Sequence, residues 1–131
     1  MVIDNFIYAY ISQEEVYDRG ETIIKEGSQG DWVYIILEGK VRVIKATAKG
    51  PVTVDTLAEG DIFGEMILWQ SGKGTRTASV TAESRVKLGL LDKELLIKEY
   101  GSISPRLKSL FESLIHRLAL TTQRAVKMAV D

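Results

Sequence analysis

The sequence has no cysteine, a single histidine and two prolines among its 131 residues. Without cysteine there is no disulfide framework, no thiolate metal site and no thiol nucleophile. His116 alone cannot supply the ligand cluster of a cupin-like metal centre. No spacing suggests a Ser-His-Asp set or a pair of catalytic carboxylates. The expectation is a protein that is not an enzyme and carries no metal or resident cofactor. Long apolar runs are also lacking. The longest, residues 32–37, falls far short of the roughly 18 residues a membrane helix needs. No Lys or Arg precedes Arg19, so the first residues do not read as a secretory signal. These absences together point to a cytoplasmic location with no membrane segment.

The chain is rich in what an ordinary globular domain needs: 45% of it is hydrophobic and 27% charged. Its length suits one domain spanning residues 1–131. The net charge of −1 is unevenly spread, with the acidic excess before residue 105 and a mildly basic terminal segment after it. Arg106, Lys108, Arg117, Arg124 and Lys127 read most simply as a solvated helix face. They do not form the strong basic patch of a nucleic-acid binder, and no DNA contact is expected from this chain. No helix-turn-helix is expected after the last helix, and the chain is expected to be either a free-standing sensor or one domain of a longer protein.

The first twenty residues read as weakly helical, with Ser12 and Glu15 at the spacing of a capping box. From Gly20 the texture changes to short runs rich in β-branched residues: 22–26, 32–38, 41–46, 52–58, 77–82 and 86–91. Gly- and Asp-rich turns separate most of them. Such spacing predicts a mainly β protein, a sandwich or barrel, over about residues 20–91. Val41, Val43 and Ala46 are expected on one face, with Arg42 and Lys45 toward water and a slip in the alternation near the strand end.

After Leu91 the pattern becomes helical. Asp92 is placed to cap the run KELLIKEY, and Gly101 to stop it. Ser104-Pro105 opens a last long helix. Leu107, Phe111, Leu114, Leu118, Thr121, Ala125 and Met128 follow steps of four and three, a heptad seam, and Leu110 and Ile115 widen it early. Two readings stand: an amphipathic helix lying on the barrel, or a helix that pairs with its twin in a modest homodimer through residues 105–128.

The stretch FGEMILWQSGKGTRTASV, residues 63–80, joins an acid, a short apolar turn, a loose Gly-rich link and one arginine to a strand. Gly64 lets backbone come close to a ligand. A helical turn over Glu65 to Trp69 would offer unpaired N–H groups to an anion. Arg76 would add charge-assisted hydrogen bonds, and Glu65 could accept from a sugar hydroxyl. The plain alternative for Arg76 is a surface strand arginine paired with a nearby acid. Trp32 and Trp69 read as core or rim aromatics, and Lys73 as an exposed loop lysine.

The run GDIFGEM…RTASVTA resembles the phosphate-binding cassette of cyclic nucleotide-binding domains. GETIIKEGSQGDWVYIILEGKVRV is similar to the first hairpins of the same family, the one that includes catabolite activator protein-like and protein kinase A regulatory subunit-like sensors. The resemblance runs over about residues 20–91 and implies a double-stranded β-helix, or jelly-roll, barrel, with hinge and lid helices over 92–131. It implies cAMP, and cGMP beside it, as ligand. Glu65 is assigned to the ribose 2′-OH and Arg76 to the exocyclic phosphate oxygens. Backbone N–H groups near Gly64, Met66 and Ala78 complete the pocket, and Thr77 contacts phosphate or purine. One of Leu107, Phe111 and Leu114 would cap the base. Departures are a slightly longer link through Ser71-Gly72-Lys73-Gly74 and Thr75 where many members carry proline. The expected function is a sensor that couples nucleotide binding to movement of its C-terminal helix, acting on a downstream protein. The alternative is a dimerisation or interaction module of the same fold that has lost nucleotide binding.

Overall fold

The computed structural model describes residues 8–30, 32–64 and 76–130. Among the described residues eight strands run in chain order: β1 (Ile11–Tyr17), β2 (Thr22–Ile24), β3 (Val33–Glu38), β4 (Val41–Thr47), β5 (Gly50–Leu57), β6 (Ile62–Phe63), β7 (Ser79–Ala82) and β8 (Val86–Leu91). They form two antiparallel four-stranded sheets, ordered β1-β8-β3-β6 and β2-β7-β4-β5. The architecture is the mainly β, jelly-roll barrel that the turn spacing and the resemblance predict. Two helices follow, α1 (Lys93–Gly101) and α2 (Pro105–Val130).

The inner faces of the two sheets meet in one core. Tyr34, Ile36, Phe63, Val86, Leu88 and Leu90 from the first sheet pack on Ile24, Val41, Val80 and Ala82 from the second. A second cluster lies on the outside of the first sheet. There Val33, Ile35, Leu37 and Leu91 are covered by Tyr10, Ile11 and, from α1, Leu96. This double burial explains why β3 is a continuous apolar run rather than an alternating one.

Residues 11–17, expected as helix, are instead the edge strand β1. Their backbone pairs with β8 from Ile11↔Leu91 to Tyr17↔Val86, with one irregularity near Ile11. Ser12 therefore caps nothing: its hydroxyl donates to the Leu90 carbonyl at 3.2 Å. Polar residues hid this strand, because an edge strand tolerates Ser, Gln and Glu on its solvent side. In β4 the alternation blurs at the middle, where Val43, Ile44 and Lys45 are all half-buried, rather than near the strand end. Val41, Val43, Lys45 and Thr47 are the more buried row and Ala46 is exposed, so the expected places of Lys45 and Ala46 are exchanged. The irregularity sits in the partner strand, where pairing steps from Asp55 to Thr53 between Val43 and Ile44.

The helix boundaries follow their caps. The Asp92 side chain accepts from the Leu95 N–H at 3.1 Å, and the Ser104 hydroxyl accepts from the Leu107 N–H at 3.2 Å. Gly101 is the last residue of α1 rather than its stop signal. Ser102 closes the helix: its N–H donates to the Glu99 carbonyl at 3.1 Å, and the next N–H, of Ile103, donates to that of Tyr100 at 3.3 Å. The long helix α2 packs against β5. Leu107, Leu110, Phe111, Leu114 and Leu118 stay between 39% and 53% exposed on it. Among the described residues no helix is long and apolar enough to cross a membrane.

Candidate ligand-binding site

Arg76 is the one buried charged residue among those described, at 7% exposure. Its main chain is held at both ends by the turn between β2 and β3. The Gly27 N–H donates to the Arg76 carbonyl, and the Arg76 N–H donates to the Ser28 carbonyl, each at 2.8 Å. With the backbone so fixed, the side chain runs inward to the barrel end. Nη2 donates to the Trp32 carbonyl at 2.8 Å and Nη1 to the Gly64 carbonyl at 3.2 Å. Burying a guanidinium is costly unless such acceptors surround it.

Two glycines make room for that pose. A Cβ on Gly30 would lie 2.8 Å from Arg76 Nε and Nη2. Gly64 has φ +81°, and a Cβ there would come within 2.9 Å of the Trp32 carbonyl oxygen and 3.0 Å of Arg76 Nη1. Backbone alone can approach the guanidinium this closely, and the left-handed conformation at 64 favours glycine in its own right. Below them the Tyr34 and Phe63 rings stack at 4.9 Å between centroids. Burial pushes the Tyr34 hydroxyl above its ordinary pKa, the Glu15 carboxylate adds to that, and the Arg76 charge opposes both. Arg76 thus makes itself felt inside the barrel as well as at its rim.

Of the residues expected at a ligand site, the fold brings Gly64 and Arg76 into contact. Thr77, exposed, and Ala78, half-buried, follow directly and lead into β7. Glu65 and Met66 lie outside the described residues, as do Trp69, Lys73 and the Ser71-Gly72-Lys73-Gly74 link. Sequence reasoning missed three contributors. The Trp32 carbonyl carried no signal, being backbone. Gly30 belongs to the quoted EGSQGD turn, and its invisible role was steric. Lys45 read as a solvent-facing strand residue, yet its ammonium donates to the Thr77 carbonyl and lies 3.6 Å from Glu26 Oε2.

Among the described residues no group of three or more His, Asp or Glu side chains is placed to hold a metal ion. What the site can do is recognise an anion: a recessed guanidinium, fixed by carbonyls at the end of an apolar barrel, beside a chain segment that has just left the turn. In that low-dielectric setting a phosphate would gain more from the charge than it would at an open surface.

The sequence model of the family described as "Cyclic nucleotide-binding domain" matches residues 14–100. A cAMP-dependent protein kinase regulatory subunit from Schizosaccharomyces pombe is 38% identical over 90 residues, which covers 69% of this chain and 21% of that protein. Human cGMP-dependent protein kinase 2 is 34% identical over 91 residues, covering 67% of this chain and 12% of the kinase. The chain thus spans about a fifth or less of the length of these two relatives. Among solved structures, the cGMP-bound form of the EAL enzyme Bd1971 superposes with a TM-score of 0.75 at 31% identity, over 88% of this chain and 30% of that one. A family match that begins in β1 and ends in α1, taking in the other seven strands, the turn that holds Arg76 and Arg76 itself, places this chain in the cyclic nucleotide-binding domain family.

Proposed function

We propose that the chain acts as one domain that binds a cyclic nucleotide, cAMP or cGMP, and passes the event to its C-terminal helices. The observation that carries this reading is the buried Arg76 guanidinium, held between Gly30, Gly64 and the Trp32 carbonyl. In this reading Arg76 binds the exocyclic phosphate oxygens and Glu65 the ribose 2′-OH. N–H groups at Gly64, Met66 and Ala78 complete the phosphate end, and Thr77 contacts phosphate or purine. The role is regulatory and cytoplasmic rather than catalytic, with an output that falls on another protein.

Strand β3 supplies a physical route for the coupling. Trp32, whose carbonyl meets Arg76, leads straight into Val33, Ile35 and Leu37, the residues that Leu96 of α1 packs against. A ligand that draws on Arg76 therefore acts on a strand whose outer face is the seat of α1. Coupling requires different ligand affinities in the two helix arrangements, and this connection offers a source for them.

Calorimetric titration of cAMP and cGMP, with Arg76→Ala as the control, tests the reading. Loss of the arginine should weaken binding by about tenfold or more, the scale of charge-assisted hydrogen bonds. No heat and no thermal stabilisation at millimolar nucleotide would sink the proposal. Binding indifferent to Arg76→Ala would mean the phosphate sits elsewhere.

A second reading, a dimerisation or interaction module that no longer takes nucleotide, is favoured by the apolar row Leu107, Phe111, Leu114 and Leu118 on α2. A homodimer through residues 105–128 is compatible with either reading. Sedimentation at high protein concentration decides that point.

A further inference from the structure

Lys45 lies on the more buried row of β4, two residues beyond Val43, and its ammonium reaches across to the Thr77 carbonyl. The lysine is not loose at its other contact. Glu26 Oε2 lies 3.6 Å from Lys45 Nζ. Glu26 is itself fixed at two more points: Oε1 accepts from the Ala46 N–H at 3.0 Å, and its own N–H donates to the Ser79 hydroxyl at 2.9 Å. Lys45 and Glu26 therefore join three strands, β2 through its end, β4 and β7, around the residue that directly follows Arg76.

The carbonyl that Lys45 holds belongs to the Thr77–Ala78 peptide. That unit is planar and trans, so fixing the Thr77 oxygen also fixes the direction of the Ala78 N–H, which points the opposite way in the same plane. A cation on the oxygen also polarises the peptide and makes its N–H a stronger donor. The Arg76 main chain is already tied to Gly27 and Ser28 on one side. The lysine supplies the corresponding tie one residue later.

We propose that Lys45, braced by Glu26, is a positioning residue that orients the Thr77–Ala78 peptide for anion recognition beside Arg76. This rests on the cyclic nucleotide reading for its ligand, but the tie to the peptide stands apart from any ligand. Lys45 and Glu26 are given no contact with nucleotide.

The test uses the full 131-residue chain with Lys45→Met, Lys45→Arg and Glu26→Gln. In the ligand-free protein, the Ala78 amide proton should move upfield in Lys45→Met and stay near its wild-type position in Lys45→Arg. Circular dichroism checks that each variant is folded. With ligand, Lys45→Met should weaken cAMP and cGMP equally, by about three- to tenfold, because the phosphate end is common to both. Lys45→Arg should recover most of that loss and Glu26→Gln should show part of it. An unmoved Ala78 amide overturns the proposal whatever the ligand results. So does wild-type affinity in Lys45→Met, or a loss confined to one nucleotide. If the wild-type chain binds neither nucleotide, the functional reading falls, and the Ala78 shift in the free protein still decides the peptide tie.

Discussion

Gly30 shows how much of a candidate binding residue's pose is set by an atom that is not there. A methyl at that position would occupy the space of Arg76 Nε and Nη2. Gly30→Ala should therefore drive the guanidinium off the Trp32 carbonyl. Nucleotide affinity should fall by about tenfold, the scale of the charge-assisted bonds disturbed, with the change read by calorimetry. Tyr17 offers a different handle. Its hydroxyl donates to Glu15 Oε1 at 3.0 Å, and burial first, then that bond, push its pKa from 10.0 up to about 12. Folding thus favours the protonated phenol. Its contribution to stability is full below pH 10 and is lost as the pH rises through about 12. Denaturant melts across that window should fall less steeply in Tyr17→Phe than in the parent. At this scale Arg76 and Gly64 were legible because their residue types carry chemistry. Gly30, the Trp32 carbonyl and Lys45 were not, because their parts depend on which distant backbone comes near.

Secondary structure was readable where a cap or a turn residue announced it. Asp92 and Ser104 begin their helices as their types suggest. Removing the first cap, Asp92→Ala, should cost about 0.5–2 kcal/mol in a thermal or denaturant melt. β1 was misread because its sequence alone satisfies the local signature of a helix start. Only the ladder to β8, residues distant in sequence, makes it a strand. That pairing also needs a residue without a side chain in β8. A Cβ on Gly89 would sit 2.9 Å from Ile11 Cδ1 and 3.0 Å from Ile35 Cγ2. Gly89→Val should accordingly loosen the N-terminal segment from the barrel, seen as faster hydrogen exchange across residues 11–17. The two-residue strand β6 was equally hidden. Its pairing of Phe63 with Tyr34 places Gly64 beside Arg76, so the shortest strand sets one wall of the candidate site.

For the molecule as a whole, the barrel was legible from turn spacing, and the family from two motifs in the right order. The use of α2 was not. A helix can bear a heptad seam and still lie on its own barrel, and here it touches β5 while leaving Leu114 and Leu118 52% and 53% exposed. Leu114→Glu should make the protein monomeric in sedimentation at concentrations where the parent associates, with the barrel's thermal transition little changed. An unchanged sedimentation profile, with the parent already a monomer, would retire the dimer.

The outer cluster on β3 limits how the helices can move at all. Leu96 and Tyr10 shelter a strip of Val33, Ile35, Leu37 and Leu91 that is almost wholly dry. Lifting α1 away would take Leu96 off that strip and leave Tyr10 and Ile11 over it, a partial exposure that costs some fraction of the roughly 1.5–3 kcal/mol each such side chain gains on full burial. A motion that keeps Leu96 on the strip avoids that cost. Were ligand binding to move α1, a slide or tilt that keeps the strip covered, a shear, would cost less than a hinge-like lift. Its amplitude is then set by how far Leu96 can travel along β3 before water enters.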